Sequence, residues 1–271
     1  MVRKLQWGSI VFLLALGGVL WLFTSTSIPV ASTLTPRQPA NRKPDFFFST
    51  PDSIAFCELL DETNDDSIVR LEELIKKGMN VNVRGKYGMT LLAWAFYRDK
   101  RVIFQQLLKA GANPEAAFTE TFDLHLLGEV YSGETVPELA TRNWLYGYTS
   151  ECLPYMRDVN KRNDRGHTLL LCLAKTKRDD ARLLFEQLLN RNDVELNVTT
   201  KSGSTALDGA MSEKNYEYVV ALLKAGAEVD AGYRNGYGFR ENLDSRYDYA
   251  FENEDKDALK QLDEVKSLLK D

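Results

Sequence analysis

The 271-residue sequence contains few of the residues that catalytic and metal sites use. There are only two histidines and three cysteines: His125, His167, Cys57, Cys152 and Cys172. No two of these five stand two to four positions apart, so the spacing of a zinc site is missing. A glycine-rich phosphate loop and a G-x-S-x-G nucleophile elbow are missing as well. We therefore expect a non-enzymatic protein with no catalytic residue, no metal and no cofactor.

Three cysteines are too few for a disulfide framework in a chain of this length. Two interpretations of Cys152 and Cys172 remain open. They pair in an oxidising compartment, or both are small core residues.

The sequence also lacks the positive charge of a nucleic-acid-binding protein. The formal net charge is −5. Residues 1–44 hold five basic residues and no acidic one, so the rest of the chain carries a net charge of −10. Because nucleic-acid binding requires a basic footprint, this class of partner is excluded.

Only the N-terminus has a long hydrophobic run. Arg3 and Lys4 precede 17 uncharged residues that end at Phe23. This pattern predicts a signal anchor over residues 1–23, with a cleaved signal peptide as the alternative. Since basic residues mark the cytoplasmic side, we expect a single inner-membrane span and a periplasmic domain. Residues 24–51 hold five of the eight prolines, which predicts a flexible linker.

Three phenylalanines, Phe46–Phe48, close to the end of this linker admit two interpretations. They pack on the first helix pair, which we favour, or they contact a partner or a membrane.

The rest of the sequence repeats itself. The segment Gly88–Ala95 (GMTLLAWA) resembles Gly203–Ala210 (GSTALDGA), and Gly166–Leu171 matches its first half. A Gly-Ala pair follows the threonine by 21 residues in two of these copies. A second spacing agrees with the first, because Asn or Asp stands six residues before a glycine at four places: Asn82, Asn160, Asn197 and Asp230.

This pattern resembles the ankyrin-repeat family, whose repeat reads G-x-T-P-L-H-x-A and then L-L-x-x-G-A-x-x-N/D. Leu91, Leu169 and Ala206 replace the family's proline, and its histidine is missing. The resemblance implies an all-α solenoid of stacked helix pairs with turn fingers, over residues 52–271. The implied units are 53–82, 83–115, 116–160 with a 12-residue insertion, 161–197, 198–230 and a C-terminal cap at 231–271.

The third unit is barely recognisable in the sequence. We expect its first helix to begin at Asp123–Leu126. We also expect an aromatic insertion at 131–148 that contains Trp144.

The resemblance implies that the turn tips and the first helices bind a protein partner. The tips carry seven basic residues against two acidic ones, which suggests an acidic partner surface. Trp94 and Tyr97 stand at the inward-facing positions of their helix, although packing against the neighbouring repeat is the alternative for Trp94. The candidate partner-binding residues are Arg84, Lys86, Tyr87, Trp94, Tyr97, Trp144, Lys161, Arg162, Arg165, Lys201, Tyr233 and Arg234.

The export segment, the linker and the repeats are together similar to exported ankyrin immunity proteins paired with phospholipase effectors of type VI secretion. That resemblance implies a membrane-tethered protein that binds and neutralises one lipase toxin. The alternative function is an envelope scaffold that tethers another complex, with no toxin involved.

Overall fold

The computed structural model describes residues 43–60, 66–232 and 238–269, all within one compact unit. The predicted anchor, most of the predicted linker, Tyr233 and Arg234 lie outside the described residues. Within the described ranges, no helix has both the length and the hydropathy needed to cross a membrane.

Twelve α-helices form six consecutive pairs in the described part of the chain. The first helices of neighbouring pairs pack against each other along one layer, and second helices pack along another. The helices are α1 Pro51–Leu59, α2 Asp66–Lys76, α3 Leu91–Tyr97, α4 Arg101–Lys109, α5 Val136–Arg142, α6 Tyr146–Cys152, α7 Leu169–Ala174, α8 Asp179–Leu189, α9 Ala206–Ser212, α10 Tyr216–Lys224, α11 Phe239–Glu252 and α12 Lys256–Leu268.

A threonine stands immediately before five of the six first helices, and three of these threonines cap the helix with their side chain. The hydroxyl of Thr90 accepts a hydrogen bond from the backbone N–H of Ala93 at 3.1 Å, and Thr168 and Thr205 cap their helices in the same way. Such caps satisfy backbone donors that have no partner inside the helix. The other two, Thr50 and Thr135, precede α1 and α5.

The predicted start of the first helix in the third unit is wrong. Its first helix begins at Val136, not at Asp123–Leu126, and residues 131–148 contain α5 and the start of α6. The 12 extra residues lie earlier, since 45 residues separate Thr90 from Thr135 and 33 separate Thr135 from Thr168.

The insertion is a small hairpin that projects from the turn finger. Strand β1 (Phe122–Asp123) pairs antiparallel with β2 (Glu129–Val130). The carboxylate of Asp123 accepts the backbone N–H of His125 at 2.8 Å, which favours a turn over a helix. Gly128, with φ +71°, then reverses the chain in a conformation that glycine adopts at little cost.

The Asn residues that mark the repeat connect each unit to the next. The Oδ1 atom of Asn82 accepts the backbone N–H of Asn113 at 2.8 Å. Asn160 accepts the N–H of Glu195, and Asn197 accepts that of Glu228. The recurrence of Asn at this position thus has a structural cause.

The described hydrophobic core has two parts that meet at the third helix pair. Phe47, Trp94 and Tyr148 belong to the first part. Tyr146, Phe185 and Leu222 belong to the second. Helix α6 therefore contributes side chains to both.

Candidate protein-binding surface

Backbone hydrogen bonds join the turn fingers into one continuous edge. The carbonyl of Tyr87 accepts the N–H of Thr119 at 3.0 Å, and the carbonyl of Arg165 accepts that of Lys201 at 3.1 Å. The insertion leaves this edge at Thr119 and returns at Ser132, whose carbonyl accepts the N–H of Asp164. The finger edge therefore keeps its register across the inserted hairpin.

An N-terminal strap, residues 44–48, takes the place of a finger at the start of this edge. Pro44–Phe46 form a short 3₁₀ helix, and the carbonyl of Phe47 accepts the backbone N–H of Lys86 at 2.7 Å. Phe47 and Phe48 are buried, whereas Phe46 is 40% exposed. Residues 44–48 are therefore folded, although we predicted a flexible linker over residues 24–51.

The strap covers Trp94, so the prediction that Trp94 is an accessible partner contact is wrong. Trp94 is 0% exposed and Tyr97 is 4% exposed. The ring centroids of Phe47 and Phe48 lie 5.7 and 6.4 Å from that of Trp94. The strap, which belongs to a position before α1, therefore fills the surface where we expected a partner.

Tyr87 keeps a partly accessible ring at the first finger. It stacks on Phe122 of the insertion, with centroids 4.8 Å apart and ring planes at 17°. The ammonium group of Lys86 lies 4.7 Å from the Tyr87 ring and 4.6 Å from the Phe46 ring. These cation–π contacts hold an exposed positive charge beside aromatic surface.

The structure places most of the predicted basic residues together on the finger edge. The guanidinium groups of Arg84 and Arg162 donate to the carbonyls of Ala117 and Thr199 in the next finger. Each contact uses donors but leaves the positive charge on the surface. Lys161 is half-buried, and the exposed members are Arg84, Lys86, Arg162, Arg165 and Lys201.

One basic residue that sequence reasoning missed, Arg142, lies inward of this edge. Its guanidinium carbon is 5.1 Å from the ring centroid of Tyr131, and that of Arg165 is 3.6 Å from the same centroid. The buried carboxylate of Glu134 accepts hydrogen bonds from Arg142 at 3.0 and 3.1 Å. Its spacing in the sequence could have identified it, because Arg142 stands seven residues after Thr135, just as Tyr97 stands seven residues after Thr90.

Trp144 lies apart from the other predicted residues. It is 65% exposed and belongs to the loop between α5 and α6. The fingers adjoin the start of α5, and the seven residues of that helix span about 10 Å. Trp144 is thus on a second edge of the stack, the helix-loop edge.

The histidines and cysteines are scattered. His125 is exposed in the hairpin, and His167 is half-buried before Thr168. Burial, with Lys175 and Arg165 nearby, lowers the pKa of His167. Cys152 and Cys172 form no disulfide, and burial raises the pKa of both thiols. In the described ranges, no group of three or more His, Cys, Asp or Glu residues could hold a metal ion.

Stacked helix pairs, threonine caps and a row of connected fingers define the ankyrin-repeat fold. The ankyrin repeat domain of Bcl-3, a member of the IkappaB protein family, is similar with 22% identity and a TM-score of 0.56, over 82% of this chain and 85% of that chain. An ankyrin repeat domain from Acinetobacter baumannii AYE is similar with 19% identity and a TM-score of 0.58, over 78% of this chain and 97% of that chain. No family model and no curated protein matches the sequence.

Proposed function

We propose that this chain is a non-catalytic binding module that holds an acidic protein partner against its finger edge. The observation that carries this proposal is the row of exposed Arg84, Lys86, Arg162, Arg165 and Lys201 on a body that is otherwise acidic. A basic edge on an acidic body orients an acidic partner and accelerates its encounter. The hydrogen-bonded fingers hold the backbone that carries the five charges in a fixed arrangement, so little backbone freedom is lost on binding.

We further propose that residues 1–23 tether the module to the inner membrane and that the repeats lie in the periplasm. The support is the order of the sequence, in which Arg3 and Lys4 precede the uncharged run. The partner that fits this placement is a phospholipase effector of type VI secretion, which the module neutralises by covering the mouth of its active site. The support for that partner is the resemblance to exported ankyrin immunity proteins.

The test is protection of living cells by the full-length chain. Cells that express it should grow normally when a phospholipase effector encoded beside it is directed to the periplasm, and cells without it should lyse. Full protection without any binding to the lipase would contradict the proposal. Absence of protection, together with stable recovery of an envelope complex, would favour the scaffold alternative.

Charge reversal tests whether the finger edge is the surface that binds the partner. Changing Lys86, Arg165 and Lys201 to Glu should slow association with the lipase, and the wild-type association rate should fall as salt rises. The matched control changes three exposed lysines on the second-helix side to Glu: Lys77, Lys109 and Lys260. If both triple variants associate equally fast, the finger edge is not the binding surface.

A further inference from the structure

A cavity on the helix-loop edge is lined by an unusual combination of charge and exposed aromatic surface. It has a volume of about 400 Å³ and spans the third, fourth and fifth helix pairs. Four cationic side chains and one carboxylate face it: Arg142, Lys175, Lys177, Arg178 and Glu213.

The two lysines are the uncompensated charges of this cavity. Arg142 is paired with Glu134, and Arg178 donates to Asp180 at 3.0 Å. Within the described residues, Lys175 and Lys177 form no salt bridge. A ligand carboxylate would therefore find cations that are not already neutralised.

Trp144 stands at the rim in a backbone conformation that does not suit it. Its φ is +61°, the left-handed region that bulky residues rarely adopt. The equivalent loops place Asp99, Lys214 and Glu254 at φ +57°, +57° and +55°. The loops of the second, third, fifth and sixth pairs thus contain a left-handed residue, whereas that of the fourth pair does not, and of these four only the third pair uses a large aromatic one that is mostly exposed. Strain of this kind is concentrated at functional positions.

The floor of the cavity is held rigid by contacts between repeats. The hydroxyl oxygens of Tyr146 and Thr176 are 2.7 Å apart, and the side-chain amide of Asn215 donates to the carbonyl of Thr176 at 2.7 Å. The guanidinium of Arg178 lies 5.7 Å from the ring of Trp144. The site is therefore formed before any ligand arrives.

We infer that this cavity binds an acidic peptide segment of a partner protein, with carboxylates on Lys175 and Lys177 and an apolar side chain beside Trp144. Tryptophan next to cations is the composition of an interface hot spot. The inference rests on the proposed function as a binding module, but it assigns a second surface, centred on Trp144, Lys175 and Lys177 at the helix-loop edge.

The probe is a dye-labelled synthetic peptide of alternating glutamate and leucine, titrated into the full-length chain in non-ionic detergent. Trp144→Ala, and separately Lys175→Glu with Lys177→Glu, should each weaken peptide binding at least tenfold. Matched controls are Leu183→Ala, which removes an equally exposed apolar side chain from α8, and Lys77→Glu with Lys109→Glu. Both controls should bind as the wild type does.

A second measurement separates binding from folding. Trp144→Gly relieves the strain of the left-handed backbone conformation, so it should raise the melting temperature of the protein while it weakens peptide binding. A fall in melting temperature would show that Trp144 has a structural role and would overturn the inference.

A finger-edge double variant, Lys86→Glu with Lys201→Glu, distinguishes this inference from the proposed function; it leaves Arg165 unchanged because Arg165 shares the Tyr131 ring with Arg142 of the cavity. It should still bind the peptide with unchanged affinity, whatever happens to lipase protection. Loss of peptide binding in that variant but not in Trp144→Ala would overturn the assignment to this cavity. Stronger competition by a single-stranded oligonucleotide or by anionic lipid vesicles than by unlabelled peptide would overturn it too.

Discussion

Replacing Glu138 by Gln should change how the stability of the protein depends on pH. Glu138 is 2% exposed, and its Oε2 atom accepts hydrogen bonds from the backbone N–H and the hydroxyl of Thr135 at 2.7 and 2.9 Å. The other carboxylate oxygen, Oε1, is buried without a hydrogen-bond partner among the described residues. Burial is the largest influence and raises the pKa of Glu138 to about 8; the neighbouring Glu134 acts in the same direction.

The direction and the size of this pH dependence follow from the pKa of Glu138. In the unfolded chain the carboxyl group ionises near its ordinary value of 4.5, whereas in the folded protein it holds its proton up to about pH 8. The stabilising contribution is therefore complete below the lower value and is lost as the pH rises through about 8. Linkage between the two values gives a loss of about 2 kcal/mol between about pH 6 and pH 8.

Glutamine keeps the oxygen that accepts from Thr135 and carries no ionisable group. Its amide nitrogen replaces Oε1 at a cost that does not depend on pH. The difference in stability between wild type and Glu138→Gln should therefore move by about 2 kcal/mol in favour of the variant over that range. Thermal unfolding of the full-length chain in detergent, followed by circular dichroism at each pH, measures this difference.

Asp208 provides a matched second case. Its carboxylate accepts the same two hydrogen bonds from Thr205, and burial raises its pKa as well. The difference between wild type and Asp208→Asn should thus have the same sign. A pH-independent difference for Glu138→Gln, or one that favours the wild type as the pH rises, would refute the reasoning.

Three other results are expected. Phe47→Ala should lower the stability by about 3 kcal/mol and increase the solvent exposure of Trp94, measured by fluorescence quenching, because Phe47 packs on that ring; unchanged quenching would contradict the strap. Thr168→Ala should cost about 1 kcal/mol of unfolding free energy through loss of its cap, and an unchanged denaturation midpoint would contradict that role. A reporter enzyme that is active only in the cytoplasm should be inactive when fused after Asp271, and activity would contradict the periplasmic placement.

Most of the helix pairs could be predicted from the sequence because their start and end signals are local. The threonine caps at Thr90, Thr168 and Thr205 and the Asn positions act within or between adjacent repeats. The third pair was misplaced because the predicted helix start, Asp123–Leu126, lies in the inserted hairpin. Thr135 with Ala140 repeats the spacing of Thr90 with Ala95 and was the available signal.

The accessibility of the candidate site was less predictable. The side chains on the fingers could be assigned from the repeat register alone. The burial of Trp94 depends on Phe47, which lies 47 residues earlier and outside any repeat. The cavity beside Trp144 joins loops of three successive pairs, and its charge becomes visible only when those loops are placed side by side.

Helix α6 is the element that connects the two parts of the hydrophobic core. Tyr148 and Cys152 are anchored in one core, and Tyr146 in the other, on a single helix of seven residues. Heat or mechanical tension should therefore divide the molecule into two cooperative blocks, with this short helix as the coupling between them.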